Sequence, residues 1–492
     1  TFLESIMITL KVFVLFFVFA TVHLKTVKEI NAIAEVEVYI EEKKADINPR
    51  YRLHYHVIPP VGWMNDPNGF SFYNGEYHLF YQFYPYDSQW GPMHWGHVKS
   101  PDLVHWMQLP TALVPENEMC FSGSAIEKDD ELVLMYTAHE IIDTDSNYNQ
   151  SQYLAFSDDG VNFHKYEGNP VIKDAPNGSP DFRDPKVWKH EDYYYVIVGS
   201  KTTDDRGRVL LYRSPDMISW EFLNVLGEST GDMGYMWECP DFFEIKGRQI
   251  LLMSPQGMEA VGDRYKNLYQ TGYIIGKFNY ETFEFVPDIA FQELDFGHDF
   301  YATQTMEKDG KTIVVGWFGM WETAFPEAVD GWAGAMTLPR ELSLHGSRLL
   351  MKPVEAMTTL RQETVWDEIF EQNQVISFGQ TAELIVTGDL DEGIELKITG
   401  NNGGEQVSIR WDVEFRKVVV DRQGDIRQVE WLPINSLSWR IFLDASSMEL
   451  FCGEGEVVFS TRVFPDGEWQ VTNLSTQSLN VVAYKINRGF PE

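Results

Sequence analysis

Three carboxylic acids occupy comparable places in three separated segments of the 492-residue sequence. Asp66 lies in "GWMNDPNGF", Asp184 in "FRDPKVW" and Glu238 in "MWECPDFF", and each precedes a polar turn sequence by eight or nine residues. Carboxyl groups held close together raise one another's pKa, and aromatic neighbours remove water from them. In such a group one acid stays protonated near neutral pH while another is ionised. A protonated and an ionised carboxyl group that face one pocket are the two groups that cleavage of a glycosidic bond requires. These acids are therefore candidate catalytic residues.

Each acid taken alone also has a structural explanation. Asp-Pro followed by Asn-Gly in Gly62–Phe70 is a strong turn signal, and an acid beside a proline at the start of a strand usually faces water. Catalysis requires the three acids to meet at one place. Whether they meet depends on the strands and turns that carry them, and this distinguishes the structural from the catalytic interpretation.

The chain contains two series of internal repeats, which predict those elements. "SPDLVHWMQL" begins at Ser100, "SDDGVNFHKY" at Ser157 and "SPDMISWEFL" at Ser214, a period of 57 residues, with a looser copy from Asn279. In the second series, alternating and apolar segments flank a short polar turn, which is the pattern of a β-hairpin. The five turns are Asn74-Gly75, Asp129-Asp130, Glu191-Asp192, Lys246-Gly247 and Asp309-Gly310.

Five repeated all-β units predict a five-bladed β-propeller, with a long irregular sandwich as the alternative. The first strand of each blade lines the central channel, so the residues that begin these strands meet at one mouth. The short strands that follow predict an antiparallel β-sandwich. The predicted segments are a signal-peptide-like stretch at 1–28, a linker or marginal helix within 29–50, the propeller at 51–350, a connector at 351–361 and the sandwich at 362–492.

Composition excludes several classes of partner. Acidic residues outnumber basic ones by 74 to 39, and the net charge of −35 repels nucleic acids and anionic lipid surfaces. The three cysteines match no zinc site, and "GKT" at 310–312 lacks the upstream glycine of a phosphate-binding loop. We expect no metal, no cofactor, no nucleic-acid partner and no membrane association of the mature form, but an uncharged small-molecule substrate. The sequence leaves the oligomeric state open.

The N-terminal sequence predicts secretion. Val12–Val22, "VFVLFFVFATV", is a mainly apolar run of eleven residues after Lys11. It is too short to span a bilayer and typical of a signal-peptide core, with a buried helix as the alternative. Sequons at Asn149, Asn177 and Asn473 agree weakly with an extracellular location.

The ordered motifs "WMNDPNG", "FSGS", "FRDPK", "ECPD" and "DFYATQT" resemble those of glycoside hydrolase family 32, the invertases and fructan hydrolases. Leu443–Gly455, "LDASSMELFCGEG", resembles the β-sandwich signature of that family, and the resemblance extends from about Tyr51 to the C-terminus. It implies that Asp66 is the nucleophile, Glu238 the general acid/base, and Asp184 the acid that holds fructose hydroxyls. It implies a fructosyl pocket lined by Asn65, Gln82, Trp90, Phe121, Ser122, Arg183, Tyr301 and Trp321.

The implied function is a retaining β-fructofuranosidase acting on sucrose through a covalent fructosyl-enzyme. Retention predicts that the Asp66 and Glu238 carboxyls lie about 5 to 5.5 Å apart. Arg183 is expected either to hold Asp184 ionised and to contact the sugar, or to form a salt bridge between blades. Six tryptophans near predicted blade starts are candidates for the sugar site or for the core: Trp63, Trp90, Trp95, Trp237, Trp321 and Trp332.

Several alternatives use a similar framework. A fructan (levan or inulin) hydrolase and a fructosyltransferase would use the same acids, and a sucrose 6-phosphate hydrolase would need a basic pocket that the acidic composition disfavours. Arabinanases and xylosidases are also five-bladed but invert configuration, which needs a wider carboxyl separation. A sugar-binding propeller without catalysis is the alternative from another class.

Overall fold

The computed structural model describes residues 28–176, 178–435 and 437–490. The apolar run Val12–Val22 and the sequon at Asn177 lie outside these residues. Within them the chain is largely β-structure, with a helix over 28–44 and 3₁₀ turns at Pro49–Tyr51, Pro326–Asp330 and Glu355–Leu360.

Five antiparallel sheets of consecutive strands follow the N-terminal helix. Blade 1 contains β1 (Gly62–Tyr73), β2 (Glu76–Tyr84), β3 (His94–Ser100) and β4 (Met107–Leu113). Blade 2 contains β5 (Met119–Lys128), β6 (Glu131–Thr144), β7 (Asn147–Ser157) and β8 (His164–Lys165). Blade 3 contains β9 (Phe182–His190), β10 (Tyr193–Lys201), β11 (Gly207–Ser214) and β12 (Glu221–Glu228).

The segments that form the last two blades also contain two short extra strands. Blade 4 contains β13 (Met236–Ile245), β14 (Arg248–Gln256), β15 (Gly272–Asn279) and β16 (Glu284–Pro287), with β17 (Gln292–Glu293) beside β15. Blade 5 contains β18 (Tyr301–Lys308), β19 (Lys311–Trp317), β21 (Arg340–His345) and β22 (Arg348–Pro353). The two-residue strand β20 (Trp332–Ala333) pairs in parallel with β1 and so ties the last part of the propeller to the first blade.

The first strands of the blades form a closed ring. β1 lies beside β5 and β18, β9 lies between β5 and β13, and β13 also contacts β18. This arrangement confirms the predicted five-bladed propeller and places the starts of β1, β5, β9, β13 and β18 around one mouth of the channel.

Both sequence repeats correspond to loops of the blades. The five predicted polar turns each join the first and second strands of a blade. Asn74 and Gly75 have φ of 49° and 85°, which suits the right-handed twist of a tight hairpin. The serine series joins third to fourth strands. There a side-chain oxygen accepts hydrogen bonds from the backbone N–H groups two and three residues later, at Asp102, Asp159, Asp216 and Asn279.

Two antiparallel sheets form the C-terminal sandwich. The first, in the order β23-β35-β25-β30-β31-β32, consists of Arg361–Phe370, Leu479–Ile486, Ala382–Thr387, Ser438–Asp444, Ser447–Cys452 and Val457–Arg462. The second, in the order β24-β34-β26-β27-β28-β29, consists of Val375–Ser377, Trp469–Asn473, Ile394–Gly400, Gly403–Asp412, Lys417–Arg422 and Asp425–Glu430, with β33 (Pro465–Asp466) beside β27. Alternate residues of both sheets fill one apolar core. Because β22 extends to Pro353, the connector consists of the 3₁₀ turn Glu355–Leu360.

A buried cluster of charges joins the propeller to the sandwich. His56 Nδ1 lies 2.8 Å from Asp444 Oδ2, and His56 Nε2 lies 2.8 Å from Glu449 Oε1. Arg340 pairs with Glu449 at 2.5 Å and with Asp295 at 2.9 Å, and its side chain is wholly buried. These contacts fix the sandwich against one side of the propeller.

For the segment at 29–50, the sequence predicts either a linker or a marginal helix. In the structure the chain is helical over 28–44. Val36 and Ile40, one turn apart, are 3% exposed and pack against the core of the propeller. Tertiary packing therefore stabilises a helix that its acidic sequence alone leaves marginal. Among the described residues, no helix combines the length and apolar character needed to cross a membrane.

Burial removes one of the predicted sequons from the surface and also encloses the cysteines. Asn473 is wholly buried and its side-chain nitrogen donates to the Phe370 carbonyl at 2.7 Å, so this sequon is not available for glycosylation in the folded protein. Cys120, Cys239 and Cys452 are buried free thiols.

Candidate active site

A backbone irregularity shapes the start of the first strand in every blade. The pairing register shifts after Met64 in β1, after Phe121 in β5, around Asp184 in β9, after Glu238 in β13 and after Tyr301 in β18. A β-bulge bends the strand and turns side chains out of the regular alternation. The five bulges therefore direct the first residues of these strands toward the mouth of the channel.

Left-handed backbone accompanies three of these bulges. Asp184, Cys239 and Ala302 have φ of 66°, 46° and 45°. Such conformations are unfavourable for residues other than glycine and persist where the surrounding structure enforces them. Their presence in three blades at the same level marks this mouth as the place where the fold departs from regular β-structure.

The bulged strand starts surround a cavity of about 370 Å³. Ten of the eleven residues predicted for the site line it: Asn65, Asp66, Gln82, Trp90, Phe121, Ser122, Arg183, Asp184, Glu238 and Trp321. The eleventh, Tyr301, is wholly buried behind the cavity and donates its hydroxyl hydrogen to Glu238 Oε2 at 2.6 Å. A larger cavity of about 1030 Å³, near Tyr51 and Thr381, contains none of the three acids.

Asp66 lies among hydrogen-bond donors. Its Oδ2 accepts from Ser122 Oγ at 2.7 Å and from Cys239 Sγ at 3.4 Å, and its Oδ1 accepts from Asn65 Nδ2 at 3.1 Å. Burial and the charge of Glu238 raise the pKa of Asp66, while these donors oppose the rise. The donors hold the carboxylate in one orientation.

Asp184 is the acid whose ionisation is disfavoured most clearly. Burial and the nearby Glu238 raise the pKa of Asp184 to about 7, although Arg183 acts in the opposite direction. Its Oδ2 accepts from the backbone N–H of Cys239 at 2.9 Å, and its own N–H donates to Thr137 Oγ1 at 2.9 Å. Near neutral pH this carboxyl group can therefore both donate and accept hydrogen bonds.

Glu238 is held by three donors from three strands. Tyr301 and Gln256 donate to Oε2 at 2.6 and 2.8 Å, and Arg183 Nε donates to Oε1 at 2.9 Å. Tyr301 and Gln256 come from blades 5 and 4, and Arg183 comes from blade 3. The side chain consequently has little freedom to turn away from the cavity.

Arg183 does not pair with Asp184, its neighbour in sequence. It bridges Glu238 of the next blade and Asp181, whose Oδ1 lies 2.9 Å from Nη1. Glu238 and Asp181 hold the pKa of Arg183 well above its usual range although burial opposes the charge. The alternative of a salt bridge between blades is thus the observed one, and the opposing charge of Arg183 still leaves the pKa of Asp184 at about 7.

Cys239 lies between Asp66 and Asp184, a position that motif reasoning missed. Its Sγ lies 3.4 Å from Asp66 Oδ2 and 3.7 Å from Asp184 Oδ2. Burial and the charge of Asp66 raise the pKa of the thiol well above its usual range, so it stays protonated and acts as a weak donor. The residue was visible in "ECPD", but only the bulge turns it toward both acids.

The six candidate tryptophans divide into two groups. Trp90 and Trp321 line the cavity, and Trp63 stacks on Trp321 with ring centroids 6.0 Å apart. The other three are fully buried in the core: Trp95, Trp237 and Trp332.

Sequence reasoning also missed wall residues that belong to no short motif. Tyr148 donates to Asp181 Oδ1 at 2.8 Å, and Gln150 accepts from Arg183 Nη1 at 3.3 Å. The further wall residues that were missed are His139, Asp181, Gln256, Tyr269 and Glu322. Most come from second or third strands, or from loops, far in sequence from the acids they face. No group of His, Cys, Asp and Glu side chains suited to holding a metal occurs in the part of the chain that the structure describes.

Both the propeller and the sandwich match models of known protein domains. Residues 56–353 match the model of the glycosyl hydrolases family 32 N-terminal domain, and residues 356–486 match that of the family 32 C-terminal domain. A sucrose-6-phosphate hydrolase of Zymomonas mobilis is 41% identical over 84% of this chain and 86% of its own length. The solved structure of a Bombyx mori GH32 beta-fructofuranosidase is 62% identical over 94% of this chain and 99% of that chain, with a TM-score of 0.93, and a mutant of it was solved in complex with sucrose.

Proposed function

Because the chain belongs to glycosyl hydrolase family 32, we propose that it is a retaining β-fructofuranosidase, which hydrolyses sucrose to glucose and fructose. The observation that carries the proposal is the convergence of Asp66, Asp184 and Glu238, from three blades, on one cavity of about 370 Å³. The Bombyx mori enzyme solved with sucrose supports the choice of sugar.

The reaction divides between two of the acids. Glu238 gives its proton to the glycosidic oxygen as the bond to the anomeric carbon breaks, and an oxygen of Asp66 forms a bond to that carbon. Water then attacks the fructosyl-enzyme and gives a proton to Glu238, and Asp66 leaves as a carboxylate. The donors around both side chains support this division because they hold the two carboxyl groups in place before the substrate binds.

Asp184 serves the sugar rather than the bond that breaks. A pKa of about 7 lets its carboxyl group donate to one fructose hydroxyl and accept from another. Hydrogen bonds to hydroxyls that strengthen as positive charge develops on the ring stabilise the transition state.

The charges around the cavity favour sucrose over sucrose 6-phosphate. Arg183 is the one cation among the described wall residues, and both Glu238 and Asp181 already pair with it. Asp66, Asp184 and Glu322 add further acids to the wall. A phosphate dianion would meet this acidic wall at a cost that an uncharged sugar avoids. We expect kcat/KM for sucrose to exceed that for sucrose 6-phosphate, and the opposite ratio would reassign the substrate.

The test is release of fructose and glucose from sucrose by the parent chain, Asp66→Ala and Glu238→Ala, with analysis of the first fructose anomer. We expect each substitution to lower kcat by about a thousandfold or more, and the first product to be β-fructose. Asp309→Asn is the matched control, because it removes a carboxylate from an exposed turn at φ 52°, a conformation that asparagine tolerates. Absence of release from sucrose, levan and inulin by the parent chain would leave a sugar-binding propeller.

The same assay distinguishes two other activities of this site. Faster release from levan or inulin than from sucrose would identify a fructan hydrolase. Trisaccharides formed at high sucrose concentration would identify a fructosyltransferase, since another sugar then replaces water as the acceptor.

We also propose that the protein is secreted, on the strength of the run Val12–Val22. Expression of the full chain in a secreting host, followed by N-terminal sequencing of protein from the medium, tests this. Deletion of 12–22 is expected to retain the protein in the cell, and unchanged export would contradict the proposal.

A further inference from the structure

The helix over 28–44 lies before the segment that matches the family, which begins at residue 56, and two of its sides fix it to the propeller. Val36 and Ile40 are buried against the propeller core. On another side, Glu37 Oε1 accepts from the backbone N–H of Thr111 at 2.8 Å and from its hydroxyl at 2.7 Å. Thr111 lies on β4, the outer strand of the blade, so the helix covers an otherwise open sheet edge.

A third side of the helix contacts the loop that enters the cavity. The Tyr39 ring lies 4.8 Å from the Tyr86 ring, and its hydroxyl donates to the Tyr86 carbonyl at 3.4 Å. Glu35, one turn before Tyr39, faces the same side, and burial together with that carboxylate raises the pKa of Tyr86. The helix therefore contacts both the ring and the backbone of one loop residue.

That loop, over 85–93, joins β2 to β3 and carries Trp90 into the cavity wall. Tyr86 and Trp90 are 44% and 45% exposed, so burial alone holds the loop weakly. The Tyr84 ring contacts Tyr86 at 5.8 Å and covers Gly91, where an added Cβ would come within 2.4 Å of it. Contacts thus run without a break from Tyr39 through Tyr86 and Tyr84 to the neighbour of Trp90.

We propose that the helix over 28–44 is a positioning element of the active site, in which Tyr39 holds the loop over 85–93 and thereby places Trp90 against the sugar. The inference rests on the proposed function, because it assigns Trp90 to substrate binding. A loop without this support must be ordered when the sugar binds, and that cost weakens binding of the substrate and of the transition state equally. Such a change raises KM and leaves kcat nearly constant.

The kinetic test compares Tyr39→Ala, Tyr39→Phe and the control Val38→Ala, on the neighbouring residue that is 59% exposed. We expect Tyr39→Ala to raise KM for sucrose about threefold to tenfold with kcat within about twofold of the parent. Tyr39→Phe, which keeps the ring, should restore most of the affinity, and Val38→Ala should match the parent. In a Trp90→Ala background, Tyr39→Ala should have no further effect on KM, because both substitutions remove the same contribution.

Hydrogen exchange provides a measurement that does not depend on activity. Tyr39→Ala should speed exchange of peptides covering 85–93 and leave the hairpin turn at Asp309-Gly310 unchanged. Normal exchange in 85–93, or effects on KM that add to those of Trp90→Ala, would overturn the positioning role. Faster exchange in a chain that does not hydrolyse sucrose would overturn the proposed function and retain the contact between helix and loop.

Discussion

At the scale of single residues, the three acids of the site differ in the groups that surround them. Asp66 has three side-chain donors, Glu238 has an arginine, a tyrosine and a glutamine, and Asp184 has a backbone N–H and a thiol. Sequence motifs identify the acids and several of these partners as site residues, but they do not show which partner binds which acid, since most of the partners come from other blades. Different surroundings let identical chemical groups take different roles.

The first prediction at this scale concerns how much the buried carboxyl group of Asp184 lowers the free energy of unfolding. Its unfolded pKa is near 3.8 and its folded pKa about 7, so the folded state binds more protons between these values and loses stability as pH rises through them. Asp184→Asn keeps an oxygen that can accept from the Cys239 N–H and removes the charge. We expect the free energy of unfolding of this inactive variant to exceed that of the parent by on the order of 1–3 kcal/mol at pH about 8, so that the variant unfolds at a higher temperature.

The pH dependence supplies the control for that prediction. Near pH about 4 the Asp184 carboxyl of the parent is protonated as well, so the difference in unfolding temperature should shrink toward zero. An equal gain at both pH values would show that the charge is not the cause. Thermal unfolding followed by circular dichroism is the measurement.

At the scale of secondary-structure elements, the bulges of the five first strands carry the site. In β5 the bulge follows Phe121 and brings Ser122 to Asp66. Gly123 makes this possible because a Cβ there would lie 2.0 Å from the Met135 carbonyl oxygen on β6. The close approach of two backbones, rather than a special φ, requires this glycine.

Gly123→Ala tests that explanation. The added methyl group cannot be accommodated without moving β5 from β6, so we expect a loss of more than about 2 kcal/mol in the free energy of unfolding, measured by urea denaturation. Sucrose hydrolysis by the folded fraction should also fall, because Ser122 moves from Asp66. Gly379→Ala is the matched control, since nothing lies within 4 Å of its added Cβ. Equal stability of the two variants would contradict the packing argument.

At the scale of the whole molecule, the buried cluster around His56 and Arg340 joins propeller and sandwich. Hydrogen bonds to Asp444 and Glu449 raise the pKa of His56 although burial favours the neutral ring. A folded pKa above the unfolded value means that the imidazolium stabilises the fold below about pH 6.5 and that this contribution disappears as pH rises through the folded pKa. The attachment of the sandwich is therefore sensitive to pH.

His56→Gln should lower the unfolding temperature most at pH about 6 and least at pH about 9, because the parent itself loses the imidazolium at high pH. The expected decrease in the free energy of unfolding at pH about 6 is on the order of 2–4 kcal/mol, since two buried carboxylates lose a cationic partner. Differential scanning calorimetry across this pH range measures it. A constant difference across the range would show that His56 acts by packing alone.

Much of the fold is predictable from sequence because its signals are local. Asn74-Gly75 and Asp309-Gly310 specify tight hairpins through φ values that few residue types adopt. In the Asp102 and Asp216 loops, the aspartate side chain accepts a hydrogen bond from the backbone N–H two residues later. Such signals need no knowledge of distant residues. Their regular repetition predicts a ring of blades.

The sequence by itself determined the hairpin units, their number and the three acids at their starts. Only the tertiary structure decided that Arg183 pairs with Glu238, that Cys239 touches Asp66 and Asp184, that Trp95 is core while Trp90 is wall, and that 28–44 is a helix against the propeller. Each of these depends on groups from different blades or elements. Charge pairing, desolvation and burial are properties of what surrounds a side chain in space, and a linear motif records only its neighbours along the chain.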